Sequence, residues 1–101
     1  MPTLPKVLFR GAATTTVTTT LYTVPASTTG IVTNIVVTNT ANAARTFTLK
    51  INGIDFATTA AIAANSIATF DIKQVLTATQ IVAGGASATD VNFHISGVEI
   101  S

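Results

Sequence analysis

Cysteine and tryptophan are absent from this chain of 101 residues, and charged residues are scarce. Without cysteine, neither a disulfide framework nor thiol chemistry is available. Asp, Glu, Lys and Arg together make up 9% of the residues, whereas about a quarter is usual in soluble domains. The exterior of the folded protein therefore has to be built mostly from uncharged side chains.

Long apolar runs are also missing, although the mean hydropathy is high, at +0.57. The apolar runs are short, such as Ile35–Val37 and Ala60–Ala64, whereas a helix that spans a bilayer needs about 20 apolar residues. The first residues, MPTLPKVLFRG, contain no apolar segment of the kind found in secretory signals. We therefore expect no membrane partner and no secretory signal.

Positive charge is neither abundant nor clustered, since the formal net charge is +1. Domains that bind nucleic acid concentrate lysine and arginine on one face. Here the basic residues are spread along the chain, so we expect no nucleic-acid partner. They are Lys6, Arg10, Arg45, Lys50 and Lys73.

Threonine is abundant, at about a fifth of the chain, and alanine, valine and isoleucine are also frequent. Threonine, valine, isoleucine and phenylalanine favour the pleated, half-buried surface of a sheet. Short runs of these residues alternate with turn residues at intervals of about eight to twelve positions, which is typical of sandwiches and barrels. The sequence predicts one all-β domain, an antiparallel β-sandwich of jelly-roll or Ig-like type with about seven or eight strands.

The chain divides into two parts. Residues 1–13, which include Pro2 and Pro5, are predicted to form an extended N-terminal arm or an edge strand. Residues 14–101 are predicted to form the sandwich domain. An arm would reach an adjacent subunit, and the alternative is a frayed terminus.

The clearest local signal is a hairpin at Asn52-Gly53, because both residues tolerate the positive φ that a two-residue turn requires. Phe47, Leu49 and Ile51 precede the turn and alternate with polar residues. They are therefore predicted to face the core.

Other segments are assigned from the same alternation. Strands are predicted over Thr14–Val24, Ile31–Thr38 and Gln80–Ala83, the last of them ended by Gly84-Gly85. The segment Ala57–Ala64 fits either a loop or a short strand, and Gln74–Thr79 fits a connection or one helical turn.

The last strand is predicted to contain a β-bulge. Val91, Phe93 and Ile95 share one face, and a shift of phase after Gly97 would return Val98 to that face.

The best candidates for chemistry are Asp90, Asn92, His94 and Ser96 on the last strand, with Asp71 predicted on a neighbouring strand. Histidine and carboxylate together are metal ligands. Residues i and i+2 of a strand lie about 6.6 Å apart, so these side chains do not converge easily. One alternative is a solvated or subunit-facing surface that carries a single histidine. Another is an interface at which His94 makes binding sensitive to pH. We expect no catalytic, cofactor-binding or metal site.

The remaining carboxylates and aromatics form no recognisable motif. Tyr22 and Phe9 are suited to stacking on a sugar, whereas the alternative is that Tyr22 anchors the core with its hydroxyl at the rim. A glycosidase needs two carboxylates that meet in space, and no paired spacing is visible among the four in the chain. They are Asp55, Asp71, Asp90 and Glu99.

Four segments resemble small β-sandwich virion proteins of tailed bacteriophages, of the capsid-associated, minor tail or fibre-base kinds. They are residues 21–40, 46–53, 62–76 and 91–101. The resemblance implies a non-enzymatic structural protein located in the virion, which binds capsid or tail subunits as a decoration or accessory protein. The alternative is a carbohydrate-binding adhesion module for a host-surface glycan. The resemblance carries over no active-site residues and no cofactor.

The scarcity of charge leads to a related expectation about partners. Charged residues are depleted in the cores of protein interfaces, and proteins of net charge near zero tend to associate. We therefore expect part of the exterior to be covered by neighbouring chains, either copies of this chain, as in a trimer, or other virion subunits.

Overall fold

The computed structural model describes residues 3–101, in which nine β-strands and no α-helix occur. The strands are β1 (Thr3–Ala12), β2 (Thr20–Thr23), β3 (Thr29–Asn39), β4 (Arg45–Ile51), β5 (Ile54–Ile62), β6 (Ile67–Phe70), β7 (Gln74–Leu76), β8 (Ile81–Ala86) and β9 (Val91–Ile100). The prediction of an all-β chain is confirmed. Within the described residues, no helix is long and apolar enough to cross a membrane.

The strands form two antiparallel sheets that pack as a sandwich. The five-stranded sheet has the order β1-β9-β3-β6, with β7 also paired to β3, and the four-stranded sheet has the order β2-β8-β4-β5. Because β6 and β7 both pair with β3, they count as one interrupted strand. The resulting order of eight strands is that of a jelly roll, the first of the two predicted sandwich types.

The core lies between the sheets and is built from alternating side chains of both. Phe47 and Leu49 on β4, and Phe93 and Ile95 on β9, are at most 2% exposed, so the predicted inward faces are confirmed. The ring of Phe47 makes edge contacts with Phe70 and Phe93, at centroid distances of 6.1 and 6.4 Å. Aromatic pairs favour this arrangement, which here joins the two sheets.

The N-terminal segment is an edge strand rather than an extended arm. β1 pairs with β9 from Thr3, opposite Ile100, to Ala12, opposite Asn92. An edge strand needs hydrogen bonds on one side only, so Pro5 is tolerated there. The predicted arm is therefore not observed from Thr3 onward, while Met1 and Pro2 lie outside the described residues.

The threonine tract does not form the long strand predicted over Thr14–Val24, because only Thr20–Thr23 is a strand. The hydroxyls of Thr14 and Thr19 are hydrogen-bonded to each other at 2.6 Å, and the carbonyl oxygen of Thr16 lies within hydrogen-bonding distance of both, at 3.1 and 2.8 Å. Threonine hydroxyls compete with sheet pairing when they bond the backbone locally in this way.

The prediction that Gly84-Gly85 ends a strand is wrong, because the pair lies inside β8. The backbone nitrogen of Gly84 donates to the carbonyl oxygen of Thr19 at 2.9 Å, and that of Ala86 donates to Thr14 at 2.8 Å. A Cβ at Gly85 would overlap the backbone of Thr16. Glycine therefore allows the threonine tract to lie against this strand.

Two segments of uncertain pattern are strands. Within Gln74–Thr79, predicted as a connection or one helical turn, Gln74–Leu76 form β7, and Leu76 is completely buried. The burial of this side chain outweighs the weak local signal. Ala57–Ala64 belongs to β5 as far as Ile62, which agrees with the strand alternative.

The predicted bulge at Gly97 is wrong, because the irregularities lie on the two neighbours of β9. β1 has an extra residue at Leu8, and β3 has one at Thr33. β9 keeps its alternation, so that Glu99 follows Gly97 on the inward side. Glycine has no side chain to indicate its face, which explains the error.

The hairpin at Asn52-Gly53 is confirmed, with φ angles of 51° and 77°. Both residues are in the left-handed region that a turn of two residues requires. The turn joins β4 to β5 and sets the register between them.

Replacing Gly53 by valine is expected to lower the free energy of unfolding by about 1–3 kcal/mol, because a β-branched residue is strained at this φ. No atom beyond the adjacent residues lies within 4 Å of a Cβ placed there, so the loss would come from the backbone alone. Gly53→Asn is the matched control and should lose much less, since asparagine tolerates positive φ. Urea denaturation measures both, and equal losses would contradict the explanation.

Candidate functional site

Asn92, His94 and Ser96 lie in a row on the outer face of the five-stranded sheet, half-buried between β1 and β3. Arg10 on β1 and Val36 on β3 lie on either side of His94. The cross-strand neighbours of the histidine are therefore a cation and an apolar side chain, and neither is a metal ligand.

The two carboxylates considered with this row do not form a metal-binding cluster with it. Arg45 binds Asp90 through Nε–Oδ1 and Nη2–Oδ2 contacts of 3.1 and 3.3 Å, and these hydrogen bonds hold the pKa of Asp90 below its usual value. The prediction that Asp71 lies on a strand next to β9 is wrong, because β3 separates β6 from β9 by two strand spacings, about 10 Å. Residues 3–101 contain no group of three or more His, Asp or Glu side chains placed to hold a metal ion.

The two aromatic residues considered for sugar stacking face the interior. Tyr22 is only 8% exposed, and Phe9 packs against the core from β1. The ring of Tyr22 presents no open face to a ligand, so the stacking role is wrong for Tyr22, while Phe9 is partly buried against the core. Tyr22 instead anchors the core with its hydroxyl at the rim, which was the alternative prediction.

Tyr22 connects the two sheets through Glu99. The hydroxyl of Tyr22, on β2, donates to Oε2 of Glu99 at 2.5 Å, and Nζ of Lys6, on β1, lies 3.2 Å from Oε1. Gly30 lies opposite Glu99 on β3, and a Cβ there would stand 3.2 Å from the tyrosine hydroxyl. The absence of a side chain at Gly30 therefore provides room for the phenol.

The contacts of this cluster shift the pKa values of Glu99 and Tyr22. The hydrogen bond from Tyr22 holds the pKa of Glu99 below its usual value, and Lys6 acts in the same direction, against the desolvation that would raise it. Burial and the adjacent carboxylate raise the pKa of Tyr22. The sequence reasoning missed this cluster because the predicted bulge turned Glu99 outward, and the signal that could have located it is the unbroken alternation from Val91.

Because folding lowers the pKa of Glu99, its charged form contributes stability that is complete above the usual pKa of 4.5 and is lost as the pH falls below that value. Glu99→Gln is expected to reduce the loss of unfolding free energy between about pH 5 and pH 2. Tyr22→Phe should do so to a smaller extent, because Lys6 remains.

Urea denaturation at a series of pH values measures this dependence. Asp55→Asn is the matched control and should change the slope less, because Asp55 belongs to an exposed ion pair with Lys50 and such pairs contribute little. A Glu99→Gln curve parallel to that of the unmodified chain would exclude the assigned role.

A cleft of about 320 Å³ opens between the β4–β5 hairpin and β7. It is lined by apolar side chains, amides and one carboxylate, namely Ile51, Ile54, Phe56, Val75, Asn52, Gln74, Gln80 and Asp55. The ring of Phe56 is held by an edge contact with Phe70, at a centroid distance of 5.4 Å. Oε1 of Gln80 accepts from the backbone nitrogen of Thr77 at 2.9 Å, which orients its amide nitrogen as a donor. The cleft thus combines an apolar wall with amide groups, of which that of Gln80 is oriented by a hydrogen bond.

Most charged side chains of the chain are paired with one another. Five cations and four carboxylates occur in the sequence, and three ion pairs take up six of these nine groups. The pairs are Lys6–Glu99, Arg45–Asp90 and Lys50–Asp55. Within residues 3–101, the charged side chains outside these pairs are Arg10, Asp71 and Lys73, so few unpaired charges lie on the exterior.

Four large apolar side chains are exposed on the two edges of the five-stranded sheet. Leu4 and Val7, on β1, are 58% and 47% exposed, while Ile67 on β6 and Val75 on β7 are 68% and 63% exposed. β1 is one edge of this sheet, and β6 and β7 together form the other. Each edge combines apolar surface with backbone groups that lack a partner strand.

Comparison of the chain with models of known protein families and with curated proteins gave no match.

Proposed function

We propose that the chain is a non-enzymatic structural protein of a bacteriophage virion, which binds capsid or tail subunits as a decoration or accessory protein. The observation that carries this proposal is the exterior, where large apolar side chains lie on the outer strands and three charged side chains of residues 3–101 stand outside ion pairs. Such depletion of charge is typical of the cores of protein interfaces.

The fold supports the proposal by analogy. Jelly rolls recur in viral capsid domains, although a fold by itself does not define a function. The edges of the five-stranded sheet add a physical reason for contact with other chains. Open edges need to be blunted or covered, and this chain has few charges with which to blunt them.

Mass spectrometry of gradient-purified virions from the phage that encodes the chain tests this proposal. We expect its peptides at a constant ratio to those of the major capsid protein, because a structural subunit is present in a fixed number of copies. A replication enzyme of the same phage is the control and should be absent from the particles. Peptides found in the infected-cell lysate but not in the virions would contradict the proposal.

A second candidate is a carbohydrate-binding adhesion module on the virion surface, and the cleft beside β7 favours it. Binding clefts commonly have volumes of about 300–1,000 Å³ with apolar walls and a few placed polar groups. A neutral saccharide has hydroxyls for Asn52, Gln74 and Gln80 and an apolar ring face for Phe56. Jelly rolls also occur in lectin domains.

A glycan array followed by titration of the strongest ligand tests the second candidate. Gln74→Ala is expected to weaken binding about tenfold, because a ligand hydroxyl would lose one hydrogen bond. Thr69→Ala, on the outer face of the same sheet, is the control and should bind as the unmodified chain does. No binding on the array, or an unchanged affinity for Gln74→Ala, would exclude the cleft as a glycan site.

A further inference from the structure

We infer that the chain binds a second copy of itself by placing the β1 edge of one copy against the β6–β7 edge of the next, so that the five-stranded sheet continues between copies. This inference rests on the proposed structural role and names a partner for it. Unpaired N–H and C=O groups on an edge strand are satisfied when another strand pairs with them.

The strand directions allow this contact. β1 is antiparallel to β9, β9 to β3, and β3 to both β6 and β7. β1 therefore runs opposite to β6 and β7. When a second copy lies beside the first in the same orientation, the facing edges are antiparallel, as are the strand pairs within the sheet.

The four-stranded sheet exposes less apolar surface on its edges. Its edge strand β5 exposes one large apolar side chain, Ile54, and its other edge, β2, has four residues and exposes none. The β1 edge and the β6–β7 edge expose two each. The edges of the five-stranded sheet are therefore the stronger candidates for contact between copies.

Apolar surface on both edges favours the same contact. Pro5, Val98, Ile31 and Val75 lie opposite one another on successive strands, so an apolar row crosses the outer face from edge to edge. With the register carried over unshifted, Val75 of one copy would meet Pro5 of the next. The contact would remove exposed apolar side chains from water at both edges, which is favourable.

Charge complementarity selects unlike edges rather than like ones. Arg10 lies on β1, and Asp71 directly follows β6, and both side chains are exposed and outside the ion pairs of residues 3–101. Arg10 lies in line with Thr69 across the sheet, through His94 and Val36. If this register continues between copies, Arg10 of one copy lies opposite Thr69 of the next, and Asp71 lies two residues from Thr69. Such diagonal neighbours are within reach of long side chains. Two β1 edges would instead bring arginine to arginine.

Reversal of these charges in the full-length chain tests the contact, with mass measured by sedimentation equilibrium across a range of concentrations. The unmodified chain is expected to exceed the monomer mass, either as a closed ring such as a trimer or as an open series. Arg10→Glu and Asp71→Lys should each raise the dissociation constant at least about tenfold through like-charge repulsion.

An equimolar mixture of the two variants provides the sharpest test. Positions 10 and 71 are then both acidic in one variant and both basic in the other, so mixing the two variants should restore association. Lys73→Gln, on the same edge as Asp71, is the matched control and should leave association intact. Unchanged melting temperatures confirm that these exposed substitutions preserve the fold.

A monomeric unmodified chain at every concentration, or a mixture that stays monomeric, would overturn the contact. Virion mass spectrometry separates this failure from failure of the proposed function. A monomer whose peptides are nonetheless found in purified virions overturns the edge contact alone. An oligomer that responds to charge reversal but is absent from virions supports the contact and overturns the virion role.

Discussion

The pairing of β9 with both β1 and β3 is the interaction on which the rest of the structure depends. The inward side chains of β9, such as Phe93 and Ile95, are completely buried and help to form the centre of the core. The same strand ends with Glu99, which receives the hydroxyl of Tyr22 from the other sheet. Because β1 and β9 come from opposite ends of the chain, the sandwich closes only when the last strand is in place.

The scarcity of charge determines how the remaining surface is arranged. The Glu99 carboxylate is partly withdrawn from water and helps to join two sheets and the N-terminal strand, while Arg45–Asp90 and Lys50–Asp55 occupy two further positions. The sheet faces therefore present mainly threonine, alanine and aliphatic side chains. Such an exterior fits the proposed contact with other protein subunits.

The sequence predicted correctly those features that depend on neighbouring residues. The hairpin at Asn52-Gly53 follows from the backbone freedom of two residues, and the inward faces of β4 and β9 follow from alternation along single strands. The threonine tract was misassigned because strand propensity does not account for the hydrogen bonds between the hydroxyls of Thr14 and Thr19 and the backbone of Thr16. The bulges at Leu8 and Thr33 were also missed, since a register shift is a property of two strands together.

The same difference between local and long-range features applies to the candidate site. The sequence by itself determined that the chain is all-β, that its interior is apolar and that its exterior has few charges, because composition and alternation depend on local chemistry. Only the tertiary structure decided that Asp71 lies two strands from His94, that Glu99 meets Tyr22, and that both edges of one sheet are apolar. These relations join residues far apart in the chain, and the order of strands in a sheet is set by packing of the whole core rather than by any one segment.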